Sequence, residues 1–414
     1  MKNPKRNPPS PIIDNLEFIG NPFKVAPQSP NWISFSNAQK DLELSLRFLY
    51  SYNGSSATFN SYRRELERLL QWAWQIEKTS ILELQREHVE EFINFCINPP
   101  EAWIGIKNVA RFKKSPDGRI PNKDWRPFVV SVSKEEFKRG KEANIGEYFP
   151  SQAAIKATFT AISSFYDYLL QEGEVSSNPV ALIRQKSKFI SRDQQAPIVR
   201  RISNIQWDYV LETAELLADQ DPEEHERTLF IMNALFAMYL RISELVADER
   251  STPLMCDFER DRDGNWWFKV TGKGNKNRRV TVCDDMLKSL KRYREHLNLS
   301  PLPNINDKSP ILPKYKGSGG ITSTRHVRLI VQNCFDAAHN RMLKGGLEQD
   351  ADDLRIATVH WLRHTGISED VKHRPREHVR DDAGHASMAT TDRYIESDLR
   401  ERHESGRNKR VREI

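Results

Sequence analysis

The stretch Thr358-Val-His360-Trp-Leu-Arg363-His364-Thr365, followed by Gly384-His385 and then by Tyr394 nine residues beyond that histidine, decides how this chain reads. His360 and Arg363 stand three residues apart, so on a helix both project from one face. An arginine fork suits a phosphate because its planar guanidinium bonds two oxygens at once and stays charged at any working pH. A tyrosine after two such groups reads as a phenolic nucleophile approached by donors able to hold a phosphate. A phenol with an ordinary pKa of about 10 is a poor nucleophile near neutrality, so it needs positive neighbours and a base. The stretch therefore calls for a partner upstream.

Two upstream segments supply one. Leu240-Arg241-Ile-Ser-Glu244-Leu245 follows the apolar run 229–240, a buried helix too short to span a bilayer and interrupted by Asn233. Further on, Trp266-Trp-Phe-Lys-Val and Arg279-Val-Thr-Val alternate as strands around Thr271-Gly-Lys273-Gly-Asn-Lys-Asn, a glycine-bearing hairpin turn.

The chain bounds these readings. Its 414 residues suit two or three domains, with 38% hydrophobic and 29% charged residues as in a soluble, cytoplasmic protein. A net charge of +6 is compatible with a nucleic-acid partner without requiring one. Cys96, Cys256, Cys283 and Cys334 lack any C-x-x-C spacing and read as reduced thiols, not a zinc knuckle or a disulfide framework. No apolar segment of signal-peptide or membrane-spanning length is expected.

Read in order, residues 1–30 hold repeated prolines and predict a flexible N-terminal arm. Residues 31–185 form a helical domain, with helices over 37–50, from Ser56 or Thr58 to Trp74, over 87–97, and from a Ser151 cap through Gln152–Gln171. In the second helix Leu66, Leu69 and Leu70 make the core face and Arg63, Arg64 and Arg68 lie on the surface. In the last, Ala153, Ala154 and Ala157 pack inward with Ile162, Phe165, Tyr166 and Leu169. Residues 99–150, rich in proline and scattered lysines and arginines, look like a loop-rich basic insertion. Residues 186–201 have linker composition. Residues 202–394 then predict helices over 205–218, 224–239, 285–297 and from Thr322 or Ser323 to Met342. An acidic, unstructured patch precedes the His360 helix, and residues 395–414 form a charged tail.

Together these features resemble the tyrosine recombinase (phage integrase) family. The likeness lies in Leu240-Arg-Ile-Ser-Glu-Leu245, Gly272-Lys-Gly274, His360-Trp-Leu-Arg-His-Thr365 and Gly384-His-Ala-Ser-Met-Ala-Thr-Thr-Asp-Arg-Tyr394, in that order. It departs at Met238-Tyr239, where Gly or Thr is common, and at Asp382-Ala383, where Leu is usual.

The resemblance implies a mainly α fold with a small β-hairpin or sheet. It would be a two-domain DNA clamp, a helical core-binding (SAM-like) domain joined to a mixed α+β catalytic domain. It implies catalytic roles for Arg241, Lys273, His360, Arg363, His385 and Tyr394. The arginines would clamp the scissile phosphate and Lys273 would be the general acid, with Lys276, Arg278 and Arg279 as nearby competitors. Glu244 would orient an active-site group and His364 would support the set. Each has a plainer alternative: a helix-end arginine, a solvated hairpin lysine, a packed tyrosine. His360 and His364 at i and i+4 could bind zinc, but the intervening Glu and a third ligand are missing, so no metal and no other cofactor is expected. Arg63, Arg64, Lys156, Arg325, His326 and Arg328 are the candidate DNA contacts.

The implied activity is site-specific recombination of double-stranded DNA through a 3′-phosphotyrosyl intermediate and a Holliday junction. A homotetramer would assemble at specific recombination sites, with the tail docking on a neighbouring protomer. A mobile genetic element is the expected setting. An Xer-like chromosome or plasmid dimer resolvase, a type IB topoisomerase-like relaxing activity and a catalytically silent DNA-binding protein are the alternatives. No membrane association is expected.

Overall fold

The structure, a computed structural model, describes residues 8–24, 37–116, 118–181, 183, 188–190, 201–249, 251–272, 277–392, 394 and 406–407. The chain divides into two compact units, Met1–Gln195 and Ala196–Ile414. The fold is mainly helical, with a few small sheets.

In the first unit α1 (Ala38–Tyr50), α2 (Ser56–Trp72) and α5 (Gln152–Gln171) pack on one another, with α3 (Arg86–Ile97) between α2 and α5 in sequence. Leucines and aromatics recurring every three or four residues give each helix an apolar stripe, and their stripes meet in one core. Ser55 and Ser151 cap α2 and α5 by accepting from the amides of Thr58 and Ala154. Gly173, at φ +76°, ends α5 in the left-handed conformation that glycine adopts without a Cβ penalty.

Several expectations for this unit are corrected. Arg63 is buried, donates to Asn15 Oδ1 at 2.9 Å and stacks over Phe59, while Arg68 donates to the Pro127 carbonyl. On α5 the inward positions are Ile155, Thr158 and Phe159, whereas Ala153 and Ala154 face solvent. Residues 8–24 are docked on the unit: Ile13 is 1% exposed, and Glu67 accepts from its amide at 3.2 Å. Residues 99–150 are anchored in the core by Trp103, Ile104, Phe128 and Val130, while much of the segment is exposed. Trp103 and Phe128 are fully buried there, and the segment builds β1 (Ile104–Gly105), β2 (Phe112–Ser115), β3 (Gly118–Pro121), β4 (Phe128–Val129) and the short α4 (Lys134–Lys138). Strands β1 and β4 pair in parallel, and β2 and β3 form an antiparallel hairpin.

The second unit is organised about α7 (Pro222–Ala237), whose residues from Leu229 to Leu235 are almost all buried. Asp221 caps it by accepting from the Glu224 amide, and Pro222 sits in its first turn, where a missing N–H costs nothing. Around α7 pack α6 (Asn204–Gln220), α8 (Asp284–His296), α9 (Thr324–Lys344) and α11 (Val359–Asp370). Ser323 is the cap of α9.

Strands β5 (Phe258–Arg260), β6 (Trp266–Thr271) and β7 (Asn277–Thr281) form an antiparallel sheet in that order, with Phe268 opposite Phe258 and Val280. The acidic segment before α11, expected to be unstructured, is the helix α10 (Glu348–Ile356), because Ala351 and Leu354 enter the core. Two short helices, α12 (Arg376–Ala383) and α13 (Met388–Asp392), follow α11, and α12 packs on β7. Among the described residues no helix is long and apolar enough to cross a membrane. All four cysteines are free thiols.

Candidate active site

Helix α11 carries the first part of the site. Leu362 and Ile367 enter apolar clusters, so the face bearing His360, Arg363 and His364 is fixed in place. Gly366 lets α11 approach α7 closely; a Cβ there would lie 2.2 Å from the Phe236 carbonyl oxygen. The Arg363 guanidinium is 5% exposed and donates to the carbonyls of Tyr239 and Ala383, the latter at 2.5 Å. Burial, and then the neighbouring Arg241, pull its pKa down to about 10, so the group remains cationic at neutral pH.

Arg241 stands where the chain leaves α7 and enters a 3-10 turn, Ile242–Glu244. Its Nη1 donates to Glu244 Oε1 at 2.9 Å and its Nη2 to the Gly384 carbonyl at 3.4 Å. The Glu244 carboxylate is buried and is gripped on its other side by Arg278, whose two terminal nitrogens donate at 2.8 and 2.9 Å. Burial pushes the Glu244 pKa up, but Arg278 and Arg241 pull harder and leave it below its ordinary value. One buried carboxylate thus orients two guanidiniums, and the bidentate Arg278 pair supplies most of the fixed geometry.

Arg278 Nε also donates to the Asp382 carbonyl at 2.9 Å, which fastens β7 to the turn ahead of His385. That turn needs Gly384: its φ is +63°, and a Cβ would come within 2.9 Å of Arg278 Cδ.

Tyr394 lies against two histidines. Its ring is stacked on His385, centroids 5.6 Å apart at 13°, and is 5.2 Å from His364. It also packs against a small apolar cluster of Tyr239, Ile367, Val379 and Ala383. His364, which Tyr394 packs on, directly follows Arg363 on α11, so nucleophile candidate and phosphate-binding candidate share one site within a single chain. His385 Nδ1 shares a hydrogen bond of 2.9 Å with Thr391 Oγ1.

Burial and the arginines pull His385 down to about 4, and burial with His360 and Arg363 does the same to His364. Both rings are therefore neutral at pH 7. His360 is exposed; burial of part of its ring and then Arg363, Arg328 and Arg241 lower its pKa too.

The structure thus gathers Arg241, Glu244, His360, Arg363, His364, His385 and Tyr394 from four separate segments. Lys273 and its competitor Lys276 lie outside the described residues. Of the other competitors, Arg279 pairs with Glu259 at 2.7 Å and Arg278 is spent on Glu244. Arg325, His326 and Arg328 are exposed at the start of α9. In the first unit Arg64 pairs with Glu65, Lys156 is exposed, and Arg63, an expected DNA contact, is buried and engaged internally. No group of residues suited to hold a metal ion occurs among the described residues.

Sequence reasoning missed the work of Arg278 and of the set Tyr239, Asp370, Arg374 and Asp382. One signal was present for Arg278: it sits two residues before the buried Val280, hence on the inward face of β7. Tyr239 and Asp382 fall within the two departures from the family pattern, and nothing local marks Asp370 or Arg374.

No protein-family model matches the chain. It is 26% identical over 336 residues to the tyrosine recombinase XerS of Streptococcus pneumoniae, covering 74% of this chain and 85% of that relative. It is 24% identical over 256 residues to the tyrosine recombinase XerC of Chlorobaculum parvum, covering 58% and 68%. Among solved structures, the XerH site-specific recombinase in a post-cleavage complex with DNA shares the fold, with a TM-score of 0.53, 16% identity, and 94% of this chain and 93% of that one covered. With its motifs in order, a shared fold and relatives of one name, this chain is similar to the tyrosine recombinases.

Proposed function

We propose that the chain recombines double-stranded DNA at specific sites, with Tyr394 as nucleophile. The phenolic oxygen attacks the scissile phosphorus and the P–O5′ bond breaks. The departing 5′ oxygen takes up a proton, leaving a 3′-phosphotyrosyl link and a free 5′-hydroxyl. Attack by the 5′-hydroxyl of a partner strand reverses the step and restores the phenol, so bond energy is kept and no cofactor is consumed. Arg241 and Arg363 offset charge on the nonbridging oxygens, an effect that in a preorganised site amounts to several kcal/mol. Neutral His385 and His364 flank the phenol; one of them takes its proton and becomes an imidazolium, and His360 adds a donor at the exposed edge. Lys273 is the general acid that the family resemblance assigns.

The observation that carries this reading is the stacking of Tyr394 on His385 beside the buried Arg363. The XerH complexes with DNA add support for a DNA partner. Two exchanges on two duplexes pass through a Holliday junction and need four copies, so we expect a homotetramer on DNA.

The test uses a pool of random duplexes, each nicked so that the cleaved fragment is lost, with covalent adducts collected after denaturation. Recovery of a consensus motif by the wild type, and no adduct from Tyr394→Phe, is the expected result. Adducts that persist in Tyr394→Phe would sink the assignment.

The biological task follows from where that motif falls. The sequence-based preference for a mobile element rested on residues 99–150 being a loop-rich insertion, and Trp103, Ile104, Phe128 and Val130 of this segment enter the core. The Xer names of the relatives favour dimer resolution. A motif found once in the host chromosome supports resolution, and one at both ends of a discrete element supports integration.

A further inference from the structure

We propose that Tyr239, Asp370, Arg374 and Asp382 form a partly buried positioning network that aims the Arg363 guanidinium without neutralising it. This rests on the function proposed above, in which Arg363 holds the scissile phosphate.

Arg363 is held by two backbone carbonyls, one on each side. One belongs to Tyr239, two residues before Arg241; the other belongs to Ala383, two residues before His385. The same two segments are tied behind the site by side chains. The Tyr239 hydroxyl donates to Asp370 Oδ2, and Arg374 Nη1 donates both to that carboxylate oxygen and to the Tyr239 oxygen, each at 2.9 Å. Arg374 Nη2 reaches Asp382 Oδ2 at 2.6 Å, and Asp382 Oδ1 accepts from the Thr281 amide at 3.2 Å. Asp370 is the last residue of the helix that carries Arg363. One chain of hydrogen bonds therefore joins the three segments bearing Arg241, Arg363 and His385.

Two features argue for a purpose beyond packing. Tyr239 is 1% exposed and has φ +49°, a conformation that a bulky residue keeps only where its surroundings over-determine it. Its ring and hydroxyl are what hold it, and its carbonyl is what Arg363 meets. The second feature is charge. Three carboxylates stand near the site, yet Arg241 and Arg278 occupy Glu244, Arg374 occupies Asp370 and Asp382, and Arg363 is left with neutral carbonyl partners. It is oriented and keeps its full positive charge for a phosphate. Tyr239 and Asp382 are also the positions where the chain departs from the family pattern, and they lie at the two ends of this one network.

Tyr239→Phe deletes the hydroxyl and keeps the ring; Asp382→Asn keeps the shape and deletes the charge. Both are compared with wild type in single-turnover adduct formation on the motif duplex recovered from the random pool. They are compared again on the same duplex with a neutral methylphosphonate at the scissile position, which has less need of a guanidinium. We expect each variant to form adduct about tenfold to a hundredfold more slowly on phosphate, the scale of an ångström-level misplacement. DNA affinity should stay within about twofold, and the defect should shrink to about threefold or less on methylphosphonate. In an Arg363→Ala background either substitution should add little, as for residues acting through one group.

An equal loss on both duplexes would mark a merely structural role and overturn the proposal, as would no loss on either. Absence of any Tyr394-dependent adduct from the wild type would instead overturn the proposed function, and this inference with it.

Discussion

Tyr394 and His385 stack in near-parallel planes, centroids 5.6 Å apart at 13°, although nine residues separate them in the chain. The contact fixes the phenol beside the arginines without charging the imidazole. We expect Tyr394→Phe to bind the motif duplex with affinity within about twofold of wild type, because the ring packing is kept. It should form no covalent adduct, as read by denaturing electrophoresis.

Arg363→Lys should not behave as a conservative change. A lysine has no planar fork with which to meet the Tyr239 and Ala383 carbonyls and still face a phosphate. Adduct formation should fall about a hundredfold to a thousandfold, the range for loss of one preorganised donor. Single-turnover kinetics at saturating DNA would show it; a loss confined to affinity would contradict the assignment.

Glu244→Gln should weaken the fold as well as the chemistry. It leaves Arg278 and Arg241 facing one another in a buried site without a countercharge. Breaking a buried pair in this way costs about 3 kcal/mol, measurable as a lower urea midpoint. Adding Arg278→Met should return part of that loss, since it removes the orphaned charge. Additive losses in the double variant would contradict the coupling.

Gly366→Ala tests the approach of α11 to α7. In an open helix this change stabilises by about 1 kcal/mol. Here the new Cβ would sit 2.2 Å from the Phe236 carbonyl oxygen, so the sign should reverse. We expect a loss of about 2 kcal/mol or more, the usual cost of overpacking, read from thermal or urea unfolding.

Stability should depend on pH through His364 and His385, each held at about 4 in the folded chain against an ordinary value near 6.5. A folded-state pKa below the unfolded one means that the unfolded chain binds more protons between those values. The contribution is therefore fully present above about pH 6.5 and is lost as pH falls towards about 4. Urea titrations across that window should show declining stability, and His385→Gln should make the decline shallower. An unchanged slope would contradict the burial of a neutral ring.

The sequence by itself determined the order of the reactive side chains, the Ser151 and Ser323 caps, the hairpin strands β6 and β7 and most helices. These signals act within a few residues, through periodicity, capping and turn chemistry, and so survive in a bare string of letters. What only the tertiary structure decided is where long-range contact sets the outcome. Arg63 lies on the inner side of α2 because Asn15, 48 residues away, awaits it there, and Ala351 and Leu354 turn an acidic stretch into a helix by entering a core. Residues 99–150 read as an excursion because their prolines and lysines hide Trp103 and Phe128, which only the neighbouring helices reveal as core. Arg278 and Arg374 look like any charged residues until β7, α11 and α12 converge and give them buried carboxylates to hold. Charge placement in a low-dielectric site depends on partners distant in sequence, and the fold alone brings those partners together.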